Sequence, residues 1–369
     1  MIPGLDGLRA VAFLLVLGAH TDNLSFGWVG LQLFFVLSGF LITGILIRMK
    51  NSLGKREYFT KFYGRRFLRI VPLYYFYIFL MFGLKFAAPV LEFKPLLNEF
   101  GDKFWLQVWL SIFYVYDFFH TTSAYEHSRF FTHLWSLSVE EQFYILWPLI
   151  VFLTPNEKMK RLFFGAIALG PIMRGVVYWV YSYHRLPFMT TIPDIAVYAM
   201  PFSHIDAFAF GAFASQFEIP RPRLQLFLAS ILVPAIGLST QYLVEGRALW
   251  STLGQGFLFS VGYMQIWGYS LLNYLFMVLI YNVAKTGLFN HTLDLPPLRY
   301  LGKISYGLYV YHTAAIWLVL KLGSIDSGNM VLYGISFVVT AVVASLSYQV
   351  FEKPINDLKD KYFPLSVSA

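Results

Sequence analysis

Apolar runs long enough to cross a bilayer recur along this whole chain, and the charged residues collect in short stretches between them. Only 13% of residues are charged, against 57% hydrophobic and 20% aromatic, where a soluble domain carries about 25% charge. The pattern predicts an all-α polytopic membrane protein of one domain over 1–351, with a short cytoplasmic tail over 352–369. The net charge of +8 is no nucleic-acid signal, because its basic residues lie in loops, where they set topology. There is no cysteine, which excludes disulfides, thiolate metal sites and a cysteine acyl-enzyme. No HExxH spacing and no GxxxxGK[ST] loop appears, so neither a metal nor a nucleotide phosphate loop is expected. The first apolar run has a poor cleavage site and reads as a retained helix rather than a signal peptide.

The first span is expected near 8–22 and the second near 28–47. The densest basic cluster follows: Arg48, Lys50, Lys55, Arg56, Lys61, Arg65, Arg66 and Arg69 against Glu57. The positive-inside rule places it, and the N-terminus, in the cytoplasm. Lys158/Lys160/Arg161, Arg221/Arg223 and the stretch from Lys285 to Lys303 should lie on the same side. Parity then allows spans near 67–87, 132–153, 162–181, 195–216 and 225–243, one within 249–284, and two near 303–321 and 330–350. The total is about ten with both termini inside. The runs 104–118 and 249–264 become re-entrant or interfacial.

Ionisable residues at membrane depth are costly and face a cavity or a partner. In LDGLRAVAFLLVLGAH, Arg9 and His20 are eleven residues apart, about 20° apart on the wheel and about 16 Å along the axis. Asp6 falls within about 40° of the same stripe. This reads as a buried polar path, or more plainly as a snorkelling arginine and an interfacial histidine. Arg66 and Arg69 (i,i+3), or Arg65 and Arg69 (i,i+4), put two guanidinium forks on one face, suited to phosphate. The plainer reading is a lipid anchor. Pro72, just beyond, can kink the helix and open a cavity.

Glu140 and Glu141 stand at the entrance of an apolar span, about 100° apart, so one can face a cavity. Ser305, Tyr309 and His312 share a second polar stripe that can pack on the first helix. His204 and Asp206, about 200° apart, cannot both face one pocket. Interhelical hydrogen bonding explains these groups as readily as catalysis.

Taken in order, LDGLRAVAFLLVLGAH, GLQLFFVLSGFLI, YGRRFLRIVPLYY, LWSLSVEEQFYILWPL, HIDAFAFGAF and LGKISYGLYVYH resemble the acyltransferase-3 family of integral membrane acyltransferases. The resemblance covers 5–312. It implies a bacterial inner-membrane enzyme that passes an acyl group, usually acetyl, from cytoplasmic acyl-CoA to a carbohydrate hydroxyl at or beyond the outer face. Exopolysaccharide, lipopolysaccharide O-antigen, peptidoglycan and nodulation oligosaccharides are among the family's acceptors.

By resemblance His20 is the essential histidine and Arg9 the LR arginine. Arg66 and Arg69 are the RxxR pair, and Glu140 is the glutamate after WSL. His20 is then the general base, oriented by Asp6 or Glu140, while Arg9, Arg66 and Arg69 hold the donor. Ser38, Glu141, Ser305, Tyr309 and His312 are candidates for the substrate path.

Two departures stand out: His204 precedes Ile205-Asp206 where the family often has arginine, and His312-Thr313-Ala314 replaces HxP. The fused periplasmic esterase-like domain of some members is not expected, so a separate periplasmic acyltransferase or the acceptor itself would complete transfer. Membrane lipid is a further expected partner. The rival function is a transporter or flippase of a lipid-linked sugar, since a polar path through a bundle suits it too. A scaffold for a polysaccharide synthase is the third reading.

Overall fold

The computed structural model describes residues 2–90, 92, 94–97, 99–183, 186–257, 264–323 and 325–364, with backbone only at Lys94 and Leu97. Its helices are α1 (Leu5–His20), α2 (Val29–Ser52), α3 (Lys55–Val90), α4 (Lys94–Leu97), α5 (Phe104–Ile112), α6 (Tyr116–His120), α7 (Leu134–Leu153), α8 (Met159–Tyr183) and α9 (Pro193–Ala199). They continue with α10 (Ile205–Gln216), α11 (Pro222–Glu245), α12 (Met264–Tyr281), α13 (Asn290–Leu293), α14 (Pro296–Lys303), α15 (Ser305–Gly323), α16 (Met330–Ser347) and α17 (Lys353–Tyr362). Among the described residues there is no strand, only an isolated bridge between Thr122 and Met189.

Among the described residues, seven helices are long and apolar enough to cross a membrane, and an eighth if α9 and α10, bent by 65°, form one span. This is a multi-pass membrane protein. The remaining two expected spans, near 8–22 and 303–321, are also helices. They fall short because α1 has 16 residues and α15 is diluted by Tyr, His, Thr and Lys. These two carry much of the polar path, and both are largely buried in the bundle. The third span starts at Lys55 rather than 67 and runs through Pro72 without a break in the helix.

Close backbone approach holds the centre together. A Cβ on Gly39 of α2 would lie 2.1 Å from Phe208 O, and one on Gly211 of α10 would lie 2.0 Å from Val36 O. Small residues at such a crossing let two helices touch along their backbones. The start of α1 is pinned by Gly4 N–H donating to Asp294 Oδ1 at 2.9 Å. The segment read as a tail forms α17, which docks on α3 through an Arg65–Asp360 ion pair at 2.8 Å.

The loops sort to two ends. Lys50 Nζ donates to Val151 O at 3.0 Å, and Asn156 Nδ2 to Asn51 Oδ1 at 3.0 Å. The loops after α2 and α7 therefore share one end. At the other end Gly328 N–H donates to Thr21 O at 2.8 Å, beside His20. Trp28 Nε1 donates to Gln255 O at 3.0 Å, which brings the 249–257 segment to that end as well. Residues 258–263 of the doubtful stretch 249–264 lie outside the described residues. In the 104–118 run, α5 spans nine residues, too few to cross. It leans on α3, where Tyr74 OH donates to Ser111 O at 2.9 Å.

This arrangement predicts the labelling of single cysteines in the cysteine-free chain. Introduced at Asn156, a cysteine should be protected from an impermeant thiol reagent in intact spheroplasts. At Ser327 it should react. Labelling at Asn156 would mean that the basic end faces outward.

Candidate active site

Three cavities run in line through the bundle, joined by shared wall residues. The mouth, about 440 Å3, lies at the basic end and is walled by Asp6, Arg9, Arg66 and Arg69 together with Lys285 and Lys303. The waist, about 80 Å3, is walled by Ser38, Ser136, Glu140, Tyr144, Ser305 and Tyr309. Arg9, Arg66 and Arg69 line both mouth and waist. The far chamber, about 630 Å3, holds His20, His120, His127 and His133, and shares Tyr309 and Leu31 with the waist. The two ends of the Arg9–His20 stripe on α1 thus open into opposite ends of one path.

At the mouth the choice of arginine pair resolves. Arg65 turns outward to Asp360 and donates to Phe363 O at 3.0 Å, so Arg66 and Arg69 face the cavity. Arg66 lies over the Tyr144 ring at 5.0 Å. Tyr144 OH and Ser38 Oγ both donate to Glu140 Oε1, and the two hydroxyls are 3.1 Å apart. Glu140 therefore belongs to the waist. Among the residues lining the three cavities, Glu141 is absent.

At the other end His20 Nδ1 lies 2.9 Å from Val16 O. A carbonyl only accepts, so Nδ1 carries the hydrogen and Nε2 of the neutral ring keeps its lone pair. Its ring meets His312 edge to face at 4.8 Å, so α15 does pack on α1. His312 Nδ1 donates to Tyr309 O at 2.6 Å, and its buried Nε2 has no hydrogen-bond partner among the described residues. Two expectations are corrected here. Asp6 bonds Arg9 at 2.6 Å, fourteen residues and about 21 Å along the helix from His20. Glu140 is engaged in the waist. Neither carboxylate orients the imidazole, and the Val16 carbonyl does so instead.

His133, His120 and His127, which no sequence motif marked, share the chamber with His20. His133 opens α7, with Nε2 donating to Val310 O at 3.1 Å and Nδ1 accepting from Thr313 Oγ1 at 3.0 Å. Burial, and after it His127 alongside, pushes the pKa of His120, outside the spanning helices, down to about 4. His127 is lowered too, by burial and then by Arg129. At neutral pH both rings are uncharged, which suits a chamber for a neutral ligand. Among the described residues, no three His, Asp or Glu side chains are placed to hold a metal ion.

Arg174 was also missed. Its two Nη groups clamp Asp206 with bonds of 2.8 Å each, and its other donors reach Ser203 O and Ser270 Oγ at 2.6 Å and Ile266 O at 2.9 Å. All five N–H groups are used. Asp206 also accepts from Ser270 at 2.6 Å and Asn273 at 3.2 Å. His204 turns away, to Gln32 at 3.1 Å and Tyr198 O at 2.9 Å. This pair ties α8, α10 and α12 together and lines none of the three cavities.

Residues 2–349 match the family model described as an acyltransferase domain. The chain belongs to that acyltransferase family. It is 31% identical to the O-acetyltransferase OatA of Staphylococcus aureus (strain NCTC 8325), a match covering 98% of this chain and 58% of that protein. It is 28% identical to the putative peptidoglycan O-acetyltransferase YrhL of Bacillus subtilis, covering 96% and 55%. The match to the peptidoglycan O-acetyltransferase OatA of Listeria monocytogenes is 28%, covering 96% and 56%. The chain thus spans just over half the length of these curated relatives. No solved structure matches it.

The buried Arg174–Asp206 pair gives this fold a testable weak point. Breaking a buried pair by removing one partner typically costs about 3–5 kcal/mol. Asp206→Asn and Arg174→Met should each lower the unfolding temperature of purified protein sharply. The double variant Arg174→Met/Asp206→Leu should lose less than the two singles summed. Additive losses would show that the two residues are not coupled.

Proposed function

We propose that this chain transfers an acyl group, acetyl by the names of its relatives, from acyl-CoA at the basic end to a carbohydrate hydroxyl at the His20 end. The observation that supports it is the single line of cavities with cations at one extremity and a lone-pair imidazole at the other. The two names that mention peptidoglycan point to a peptidoglycan-type glycan as the acceptor. In this reading the basic residues that meet at the mouth make the donor side cytoplasmic, and the bacterial relatives point to a bacterial inner membrane.

In this reading Arg66 and Arg69 hold donor phosphates by charge-assisted forks. The uncharged pantetheine arm enters the waist, whose walls beyond Arg9, Arg66, Arg69 and Glu140 are hydroxyls and apolar side chains. The acceptor hydroxyl lies in the far chamber, among Trp28, Trp135, Tyr125 and Tyr198, faces that suit a sugar ring. His20 Nε2 takes the hydroxyl proton as the oxygen attacks the thioester carbonyl. The new C–O bond forms, the C–S bond breaks, and the proton returns from the imidazolium to the thiolate. Glu140, held by Ser38 and Tyr144, balances the nearby charge of Arg66 at the entrance to the waist.

His20→Ala should reduce acetyl transfer by 10²–10⁴-fold, the range for loss of a general base, with unchanged expression and acetyl-CoA binding. Arg69→Lys should show the reverse split. It keeps the charge but loses the fork, so binding weakens by roughly 10- to 150-fold. Acetyl-CoA titration and a glycan acetylation assay read both effects. Full transfer in His20→Ala would remove the base assignment. A wild-type protein that moves lipid-linked sugar without consuming acetyl-CoA would be a flippase.

A further inference from the structure

The mouth holds more positive charge than its arginine pair. Arg48, Lys285, Lys303 and Lys359 line it too, and none of these four lines the waist. Among the described residues, neither these four nor Arg66 and Arg69 have a carboxylate within ion-pair distance. Two acids line the mouth. Asp6 is taken by Arg9 at 2.6 Å. Glu352 accepts from Ser347 Oγ at 3.1 Å.

The backbone that presents the outer cations is unusual. Lys285 lies in one π-helical turn, Asn282–Thr286, and Tyr348 and Glu352 lie in another, Tyr348–Glu352. Such turns are rare and frequent at functional sites. Lys303 Nζ stands over the Tyr348 ring at 5.2 Å. Lys359 comes from α17, beyond the matched residues 2–349. There it donates to Asn356 Oδ1 at 3.1 Å. The Arg65–Asp360 ion pair at 2.8 Å holds that helix to α3.

The cations therefore stand in two tiers. The inner one, Arg9, Arg66 and Arg69, opens to both mouth and waist, and the outer one opens to the mouth alone. Acyl-CoA carries its anions in two groups as well. The diphosphate follows the pantetheine arm, and the ribose 3′-phosphate lies on the nucleotide end, away from the thioester. With the pantetheine arm in the waist, the order of anions along the donor matches the order of tiers. Forked guanidiniums suit the diphosphate, and ammonium point charges suit a freely rotating phosphomonoester.

Resting on the acyl-CoA reading above, we propose that Lys285, Lys303 and Lys359 form a subsite for the ribose 3′-phosphate. The enzyme then discriminates against thioesters that lack this group, and α17 is part of its donor site rather than a tail.

The test compares the affinity of the purified full chain for acetyl-CoA and for acetyl-dephospho-CoA. Wild type should prefer acetyl-CoA by roughly tenfold or more, the scale of one charge-assisted contact. Lys285→Gln and Lys359→Gln, made separately, should each bring that ratio toward one. The ratio is internal, so partial loss of folded protein cancels. A wild-type ratio near one overturns the subsite and leaves the acyl-CoA reading standing. Wild type that binds neither donor overturns the acyl-CoA reading itself. A ratio preserved in both variants overturns the assignment to these lysines.

Discussion

Positive charge without an ion-pair partner, lining a cavity in an apolar bundle, is the constraint on which this architecture depends. Arg66 and Arg69 lie in the long helix α3, on the wall between mouth and waist. Taking a charge out of water costs several kcal/mol even after relaxation. The chain meets that cost by keeping a cavity open at their heads and by placing Tyr144 and Glu140 beyond them. An anionic ligand would complete the compensation. Had the sequence supplied paired acids instead, the site would be a closed structural network.

Arg174 shows that alternative in the same molecule. It is as deep as any residue in the protein, fully buried, and every one of its donors is bonded. Its carboxylate partner is equally saturated. A pair so satisfied has no capacity left for a ligand, and it stands apart from the three cavities. The difference between Arg174 and the Arg66–Arg69 wall is one of pairing, and pairing separates a binding wall from a clamp.

Much of this is legible in the sequence, for identifiable reasons. Apolar runs of about twenty residues reveal the helices, and loop charges reveal which ends belong together. The stripe of Arg9 and His20 is a property of one helix, so helical geometry alone places them at opposite ends of one path. What a wheel lacks is distance. Asp6 shares the stripe but sits about 21 Å from His20, and Glu140 is captured by Ser38 on another helix. The partner of Asp206 comes from 32 positions earlier in the chain, which no local spacing reveals. The signal for it was an arginine inside the apolar run of α8. The same holds for α17, whose basic residues read as a solvated tail until Arg65 ties that helix to α3.

The central claim is that the donor and the base act from opposite faces of one protein. It is tested most directly by vectorial transfer in proteoliposomes of purified full-length chain, sorted by orientation. Radiolabelled acetyl-CoA is supplied only on the face that carries the basic loops, and an impermeant glycan acceptor only on the other. The account predicts labelled acceptor in the opposite compartment with acetyl-CoA consumed on the first. Label that appears only when donor and acceptor share one face would contradict it.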